Sequence, residues 1–270
     1  MGNKVLLSVA PVSVTETRVD PEAVARDVVA CAKAGAGMVH LHVRNRRGKL
    51  TPDMACFKET VELIRESSDI VIEASTGGIS ELTIEERCAP LSYDKVECAS
   101  LCVGSVNLGE HVYHNPLREA RWCVEAVSKY GITPEVDVYE IGMIHTACQL
   151  AKEFPFRVPI LFNIVLGHEG AAPATAEALV AMQSLIPAGM PWGITHAHRT
   201  NNDIICTAVG LGAKAVRIGF ESSPHVDEKT VASSNEPIVA YFAKFLRAMG
   251  KEPMTSGEAR AFFRSGGLAA

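Results

Sequence analysis

Met38-Val39-His40-Leu41-His42-Val43-Arg44 reads as a buried strand that carries two histidines two residues apart. Side chains alternate along a strand, so His40, His42 and Arg44 share one face and Val39, Leu41 and Val43 the other. The apolar row suits packing on helices. The histidine row suits a divalent metal, because two neutral imidazoles converge from one rigid element. The plainer reading is a pair of core histidines satisfied by hydrogen bonds.

On either side of this stretch the chain repeats apolar strand, then amphipathic helix. Strands are expected at 4–10, 38–44, 69–75, 95–103, 134–139, 158–166, 192–198 and 215–221. Helices are expected at 20–34, 52–67, 83–88, 116–129, 141–154, 174–185, 202–211 and 235–249, with a short capped one from Ser256. Two of the helix starts are marked locally. Asp20 precedes Pro21 as N-cap and first helical residue, and Thr83 with Glu86 makes a capping box. Eight strand–helix units predict a single (β/α)8 TIM barrel over residues 1–270. A doubly wound open sheet competes, but the first strand leads into APVSVTETR with no Gly-rich phosphate loop.

Composition narrows the function classes. The chain has 270 residues, 47% of them hydrophobic and 21% charged, with a net charge of −5. No basic stripe points to nucleic acid, and no apolar run reaches membrane-spanning length. The eight cysteines contain no CxxC pair. They read as buried thiols of a cytoplasmic protein.

In a barrel, chemistry sits at the C-terminal ends of the strands. Closure sets the last strand beside the first, two strands from His40 and His42, so Glu221 is the natural third ligand. A His2Glu set leaves one position open, the pattern of catalytic zinc. The competing partner for Glu221 is Arg217, about 13 Å away along the same strand. Ser75-Thr76-Gly77-Gly78 offers hydroxyls and backbone N–H groups to an anion, and Ser105 with Asn107 could do the same. Together they suggest a small carboxylated substrate, for which Arg217 is another candidate. His196 and His198 form a second His-x-His pair, either a rival metal site or acid–base and hydrogen-bonding groups of the pocket. His145, His168 and His225 are expected on the surface or in loops, and His111 and His114 in solvent.

The segments AGAGMVHLHVR, EASTGG, LCVGSVNLG, TPEVDVYEIGMI, FNIVLG, AVRIGFE, ASSNEPIV and SGEARAF occur in this order over nearly the whole chain. In this the sequence resembles the β-keto acid cleavage enzymes. The resemblance implies a (β/α)8 transferase, typically a homotetramer, that uses a divalent metal, usually zinc. Such an enzyme exchanges acyl groups between a β-keto acid and acetyl-CoA, giving acetoacetate and a new acyl-CoA. It implies His40, His42 and Glu221 as metal ligands. It implies Ser75, Gly78 and Ser105 as substrate-binding residues, with Asn107 nearby, Asp137 where a Glu is common, and Arg217 assisting proton abstraction.

Two positions depart from that pattern. Glu221 is followed by Ser222 where the family has an Asp, and Thr15 stands where a catalytic Glu is usual. The replacements expected from the sequence are Glu16 and His198, with His196 beside the substrate. The sequence also leaves open a zinc hydrolase or lyase of a small acid, similar to an epoxide hydrolase and independent of CoA. A barrel that binds a metabolite without turning it over is the third reading.

Overall fold

The computed structural model describes residues 3–154 and 160–265. Eight parallel strands run in chain order: β1 (Lys4–Val9), β2 (Met38–Leu41), β3 (Val71–Ser75), β4 (Cys98–Cys102), then, after the hairpin β5 (Val106–Leu108) and β6 (His111–Tyr113), β7 (Thr133–Val138), β8 (Leu161–Leu166), β9 (Trp192–His196) and β10 (Ala215–Ile218). Leu6–Val9 pair with Ala215–Ile218, so β10 closes on β1 and the sheet is a barrel. A second hairpin, β11 (His225–Asp227) with β12 (Thr230–Val231), precedes the last barrel helix, and β13 (Glu252–Pro253) pairs with the start of β1. Neither hairpin was expected from the sequence. Their strands are only two or three residues long, too short to show an alternating pattern.

The helices are α1 (Pro21–Ala34), α2 (Ala55–Arg65), α3 (Ile84–Arg87), α4 (Leu117–Tyr130), α5 (Ile141–Glu153), α6 (Ala176–Leu185), α7 (Asp203–Gly210), α8 (Glu236–Ala248) and α9 (Ser256–Ser265). The expected caps form. Asp20 accepts from the Glu22 N–H at 3.2 Å, and Thr83 and Glu86 complete a reciprocal box. Among the described residues no helix is long and apolar enough to cross a membrane.

Period-two alternation splits the strand residues into two sets. Val5, Leu7, Val9, Val39, Leu41, Ile72, Val136, Ile164, Ile194 and Val216 face the helices and form the main core. The inward set is layered. At the bottom Leu6, Met38, Val71, Cys98, Leu161 and Ala215 meet Phe262 and Phe263 of α9, which plug the barrel. Each phenylalanine buried this way contributes about 1.5–3 kcal/mol. The next layer is polar and buried: Ser8, His40, Glu73, Ser100, Glu135, Asn163, Thr195 and Arg217.

Three strands end two or more residues earlier than the sequence suggests, at Leu41, His196 and Ile218. The chain flares outward at the mouth and leaves the ladder before His42, His198 and Glu221. Gly219 makes one of these exits. Its φ is +124°, and a Cβ there would sit 2.5 Å from the Ala10 carbonyl oxygen. Glu221 is still tied to the end of the first strand, its N–H donating to Ala10 O at 3.2 Å. Residues 158–159 of the expected sixth strand lie outside the described residues.

Candidate metal centre and active-site cavity

His40 and His42 project inward from β2 and its extension, and Glu221 reaches over β1 to meet them. The Nε2 atoms of the two histidines are 3.4 Å apart, and Glu221 Oε1 lies 3.3 Å from His42 Nε2 and 3.8 Å from His40 Nε2. A tetrahedral ion with bonds of about 2.0–2.1 Å separates its ligand atoms by about 3.3–3.4 Å. Two edges of the triangle therefore have the length that a metal such as zinc requires, and the third, at 3.8 Å, is longer. Among the described residues this is the group of His, Cys, Asp and Glu side chains gathered closely enough to hold an ion.

The electrostatics agree. His40 is buried, and burial, followed by the charge of Arg217, lowers its pKa to about 3, so the imidazole is neutral as a ligand must be. Its Nδ1 lies 2.8 Å from Glu73 Oε2, the carboxylate contact that orients metal-bound histidines. Burial pushes the Glu221 carboxyl up, but His42 and then His40 outweigh it and hold the group below the usual carboxylate range.

Arg217 forms the floor. Its guanidinium donates to Glu135, to Asp137 Oδ2 at 3.2 Å and to Glu73 Oε2 at 3.4 Å. Burial opposes its charge, yet Asp137, Glu135 and Glu73 together raise its pKa well above the ordinary value. Burial also raises Glu73 to about 7 and Glu135 well above the carboxylate range. Four carboxylates around one arginine leave an excess of negative charge in a dry interior. Protonation of Glu73 or Glu135 relieves part of it, and a divalent cation on the triad would balance more. Arg217 thus pairs with three neighbours, not with Glu221 on its own strand.

A cavity opens above this floor. His40, His42, Glu221, Arg217, Asp137, Ser75 and Gly78 all line it. Ser75 Oγ accepts from the Gly77 N–H at 3.2 Å, which leaves its own proton to donate. Asp137 is fixed by Asn163, whose Nδ2 donates to Oδ1 at 2.6 Å.

The chain as a whole is similar to known proteins. The sequence fits the profile of the beta-keto acid cleavage enzymes over residues 10–264. The chain belongs to the beta-keto acid cleavage enzyme family. It is 33% identical to a 3-keto-5-aminohexanoate cleavage enzyme of Fusobacterium nucleatum, over 88% of this chain and 87% of that one. It is 30% identical to a 3-oxoadipate:acetyl-CoA acetyltransferase of Cupriavidus necator, over 86% and 82%. The apo structure of ObcA shares the fold with a TM-score of 0.76 at 18% identity, over 92% of this chain and 65% of that one.

Within this member of the family, several sequence expectations need correction. Glu16 does not reach the cavity. It is exposed, and its carboxylate accepts from the Arg18 N–H at 3.0 Å, while Val14 takes the lining position. Ser105 and Asn107 also lie outside the lining, because the chain after β4 enters a hairpin where a simple turn was expected. Ser105 Oγ accepts from Asn115 N at 2.9 Å at the hairpin base, and Asn107 is exposed. The hairpin returns Leu108 and Tyr113 to the cavity instead. His196 faces the helices with Ile194, while Thr195 and Ala197 face the cavity. His198 stands exposed outside the cavity lining with a left-handed φ of +56°. It packs edge-on against His168 at 5.2 Å.

His168, expected on the surface or in a loop, lies in the loop after β8 and lines the cavity from there. Burial, then the charge of His198, lowers it to about 4. Tyr113 and Thr195 were not foreseen. Gly77 hints at Tyr113, since a Cβ at Gly77 would lie 1.8 Å from the tyrosine hydroxyl, but that contact joins distant parts of the sequence.

Proposed function

We propose that this protein exchanges acyl groups between a β-keto acid and acetyl-CoA, releasing acetoacetate and a new acyl-CoA, with zinc held by His40, His42 and Glu221. The observation that carries the reading is the metal-sized His-His-Glu triangle in one cavity with a carboxylate cage around Arg217. Zinc bound there would supply Lewis acidity to the keto oxygen.

The chain's own residues do the rest. The Ser75 hydroxyl and the backbone at Gly78 hold the substrate carboxylate. Arg217, kept charged by its three partners, holds Asp137 in place at the cavity floor. Ser222 lines the cavity but has no carboxylate to act as base. Asp137, the lining carboxylate left once Glu221 is a ligand, takes the proton from the carbon between the two carbonyl groups. Its grip by Asn163 and Arg217 aims it there. The eight thiols support a cytoplasmic setting, and the family resemblance puts forward a homotetramer.

The test is release of acetoacetate by zinc-loaded protein from a panel of β-keto acids with acetyl-CoA. Activity is expected only with both substrates and should fall about 10²–10⁴-fold in Asp137→Asn. Turnover without acetyl-CoA would identify the hydrolase or lyase instead. Silence across the panel removes the reading.

A further inference from the structure

The β5–β6 hairpin carries Tyr113 into the cavity until its hydroxyl meets the turn Ser75-Thr76-Gly77-Gly78. A Cβ at Gly77 would lie 1.8 Å from the phenol oxygen and 2.9 Å from the ring carbon that bears it, so the glycine is what leaves room for a tyrosine. The approach is held from two sides. The hairpin is docked by the Gly109 N–H, which donates to the Glu169 carbonyl at 2.8 Å. The Tyr113 ring meets the Tyr139 ring edge-on at 6.0 Å.

The hydroxyl has a proton to give. Burial raises the phenol well above its usual pKa, while the Gly78 backbone, as a hydrogen-bond partner, lowers it. A backbone bond that lowers a phenol's pKa runs from N–H to the oxygen, because it favours the charged form. Tyr113 therefore accepts from the turn and keeps its own proton. Ser75 does the same, since its Oγ accepts from the Gly77 N–H. Two neutral hydroxyl donors thus stand on one turn. That turn borders the candidate metal centre: a Cβ at Gly78 would lie 3.7 Å from the His42 ring.

In a β-keto acid one carbon separates the carboxylate from the keto carbon. A keto oxygen directed at His40, His42 and Glu221 sets the carboxylate beside this turn. We propose that Tyr113 is a substrate-binding residue, which with Ser75 forms a pair of hydroxyl donors gripping that carboxylate, the Gly78 backbone acting through it. The proposal rests on the keto-acid reading above. Hydrogen bonds to a charged acceptor are the stronger kind, so a carboxylate gains more from the pair than an ester does.

Tyr113→Phe removes the oxygen and keeps the ring. The KM for the β-keto acid is expected to rise about 10–100-fold, the worth of one hydrogen bond to a charged acceptor. The KM for acetyl-CoA should change far less, whereas a merely structural tyrosine would move both. Calorimetric titration of the zinc-loaded protein with a β-hydroxy acid and with its methyl ester reads the same contact without turnover. The wild type should favour the acid, and Tyr113→Phe and Ser75→Ala should each cut that preference about tenfold or more. This result supports the proposal even if no keto acid reacts, an outcome that would count against the acyl-exchange reading alone. Acid binding as tight in Tyr113→Phe as in the wild type, equal loss of acid and ester, or no wild-type preference for the acid overturns it.

Discussion

β2 and β9 carry the same His-x-His spelling and put it to opposite uses. On β2 the odd-looking residues are the inward ones. His40 and His42 meet Glu221 within 3.8 Å, and Glu73 steadies His40 from behind. On β9 the parity is reversed. Ile194 and His196 face the helices, and the chain has turned away by His198. Spacing makes two imidazoles share a face. It does not say which face, nor whether a third donor waits there.

The largest expected contrast is in metal content. His40→Ala, His42→Ala or Glu221→Gln should leave little zinc after dialysis and reduce acetoacetate formation about 10³-fold or more, by removing a ligand from a three-residue set. His196→Ala and His198→Ala should keep their zinc. Metal analysis of the five purified variants decides, and zinc lost from the β9 variants but kept by the β2 variants would reverse the assignment.

The arginines near the two strands sharpen the contrast. Arg217 is caged by three carboxylates. Arg199, after β9, is fully buried, lies over the Phe242 ring at 5.3 Å and donates to Asn202, with its Nε and NH2 unpartnered among the described residues. Arg217→Met should destabilise the fold by about 3–5 kcal/mol, because it strands buried carboxylates. Arg199→Met strands none and should be far milder. Urea denaturation of the two variants compares them; equal losses would mean that the cage is not what makes Arg217 matter.

Smaller still, Glu73→Gln should weaken zinc binding about 10–100-fold by removing the charge behind His40, measured by competition with a chelator. An unchanged affinity would reduce Glu73 to a partner of Arg217 only.

The smallest effect is a pH slope. Burial, then the Arg199 charge, lowers His196 from 6.5 to about 4. The unfolded chain therefore takes up this proton first as the pH falls. The stability linked to the neutral ring is complete above about 6.5 and is lost toward pH 4. His196→Asn should flatten the decline of stability between those values, and an unaltered slope would place the ring in contact with water.

Much of the barrel could be read along the chain. A strand buried on both faces writes its own apolar run, and a helix its cap, so eight units, the Asp20 cap and the Thr83–Glu86 box were visible without coordinates. The meeting of His40, His42 and Glu221, the candidate metal triad, was visible too, because His40 and His42 are neighbours on one strand and closure brings the last strand to the first. Side chains that meet only through the flare of the mouth were not. Tyr113 arrives on a hairpin with three-residue strands, and His168 turns inward from a loop. Glu16, Ser105 and Asn107 turn away because local backbone donors capture Glu16 and Ser105, and the hairpin leaves Asn107 in solvent. Sequence determined what repeats at short range: strand, helix, and the two ligands one pleat apart. The tertiary structure alone decided the parity of each strand and the cage around Arg217, since each depends on residues far apart in the chain being brought to one place by the closing of the ring.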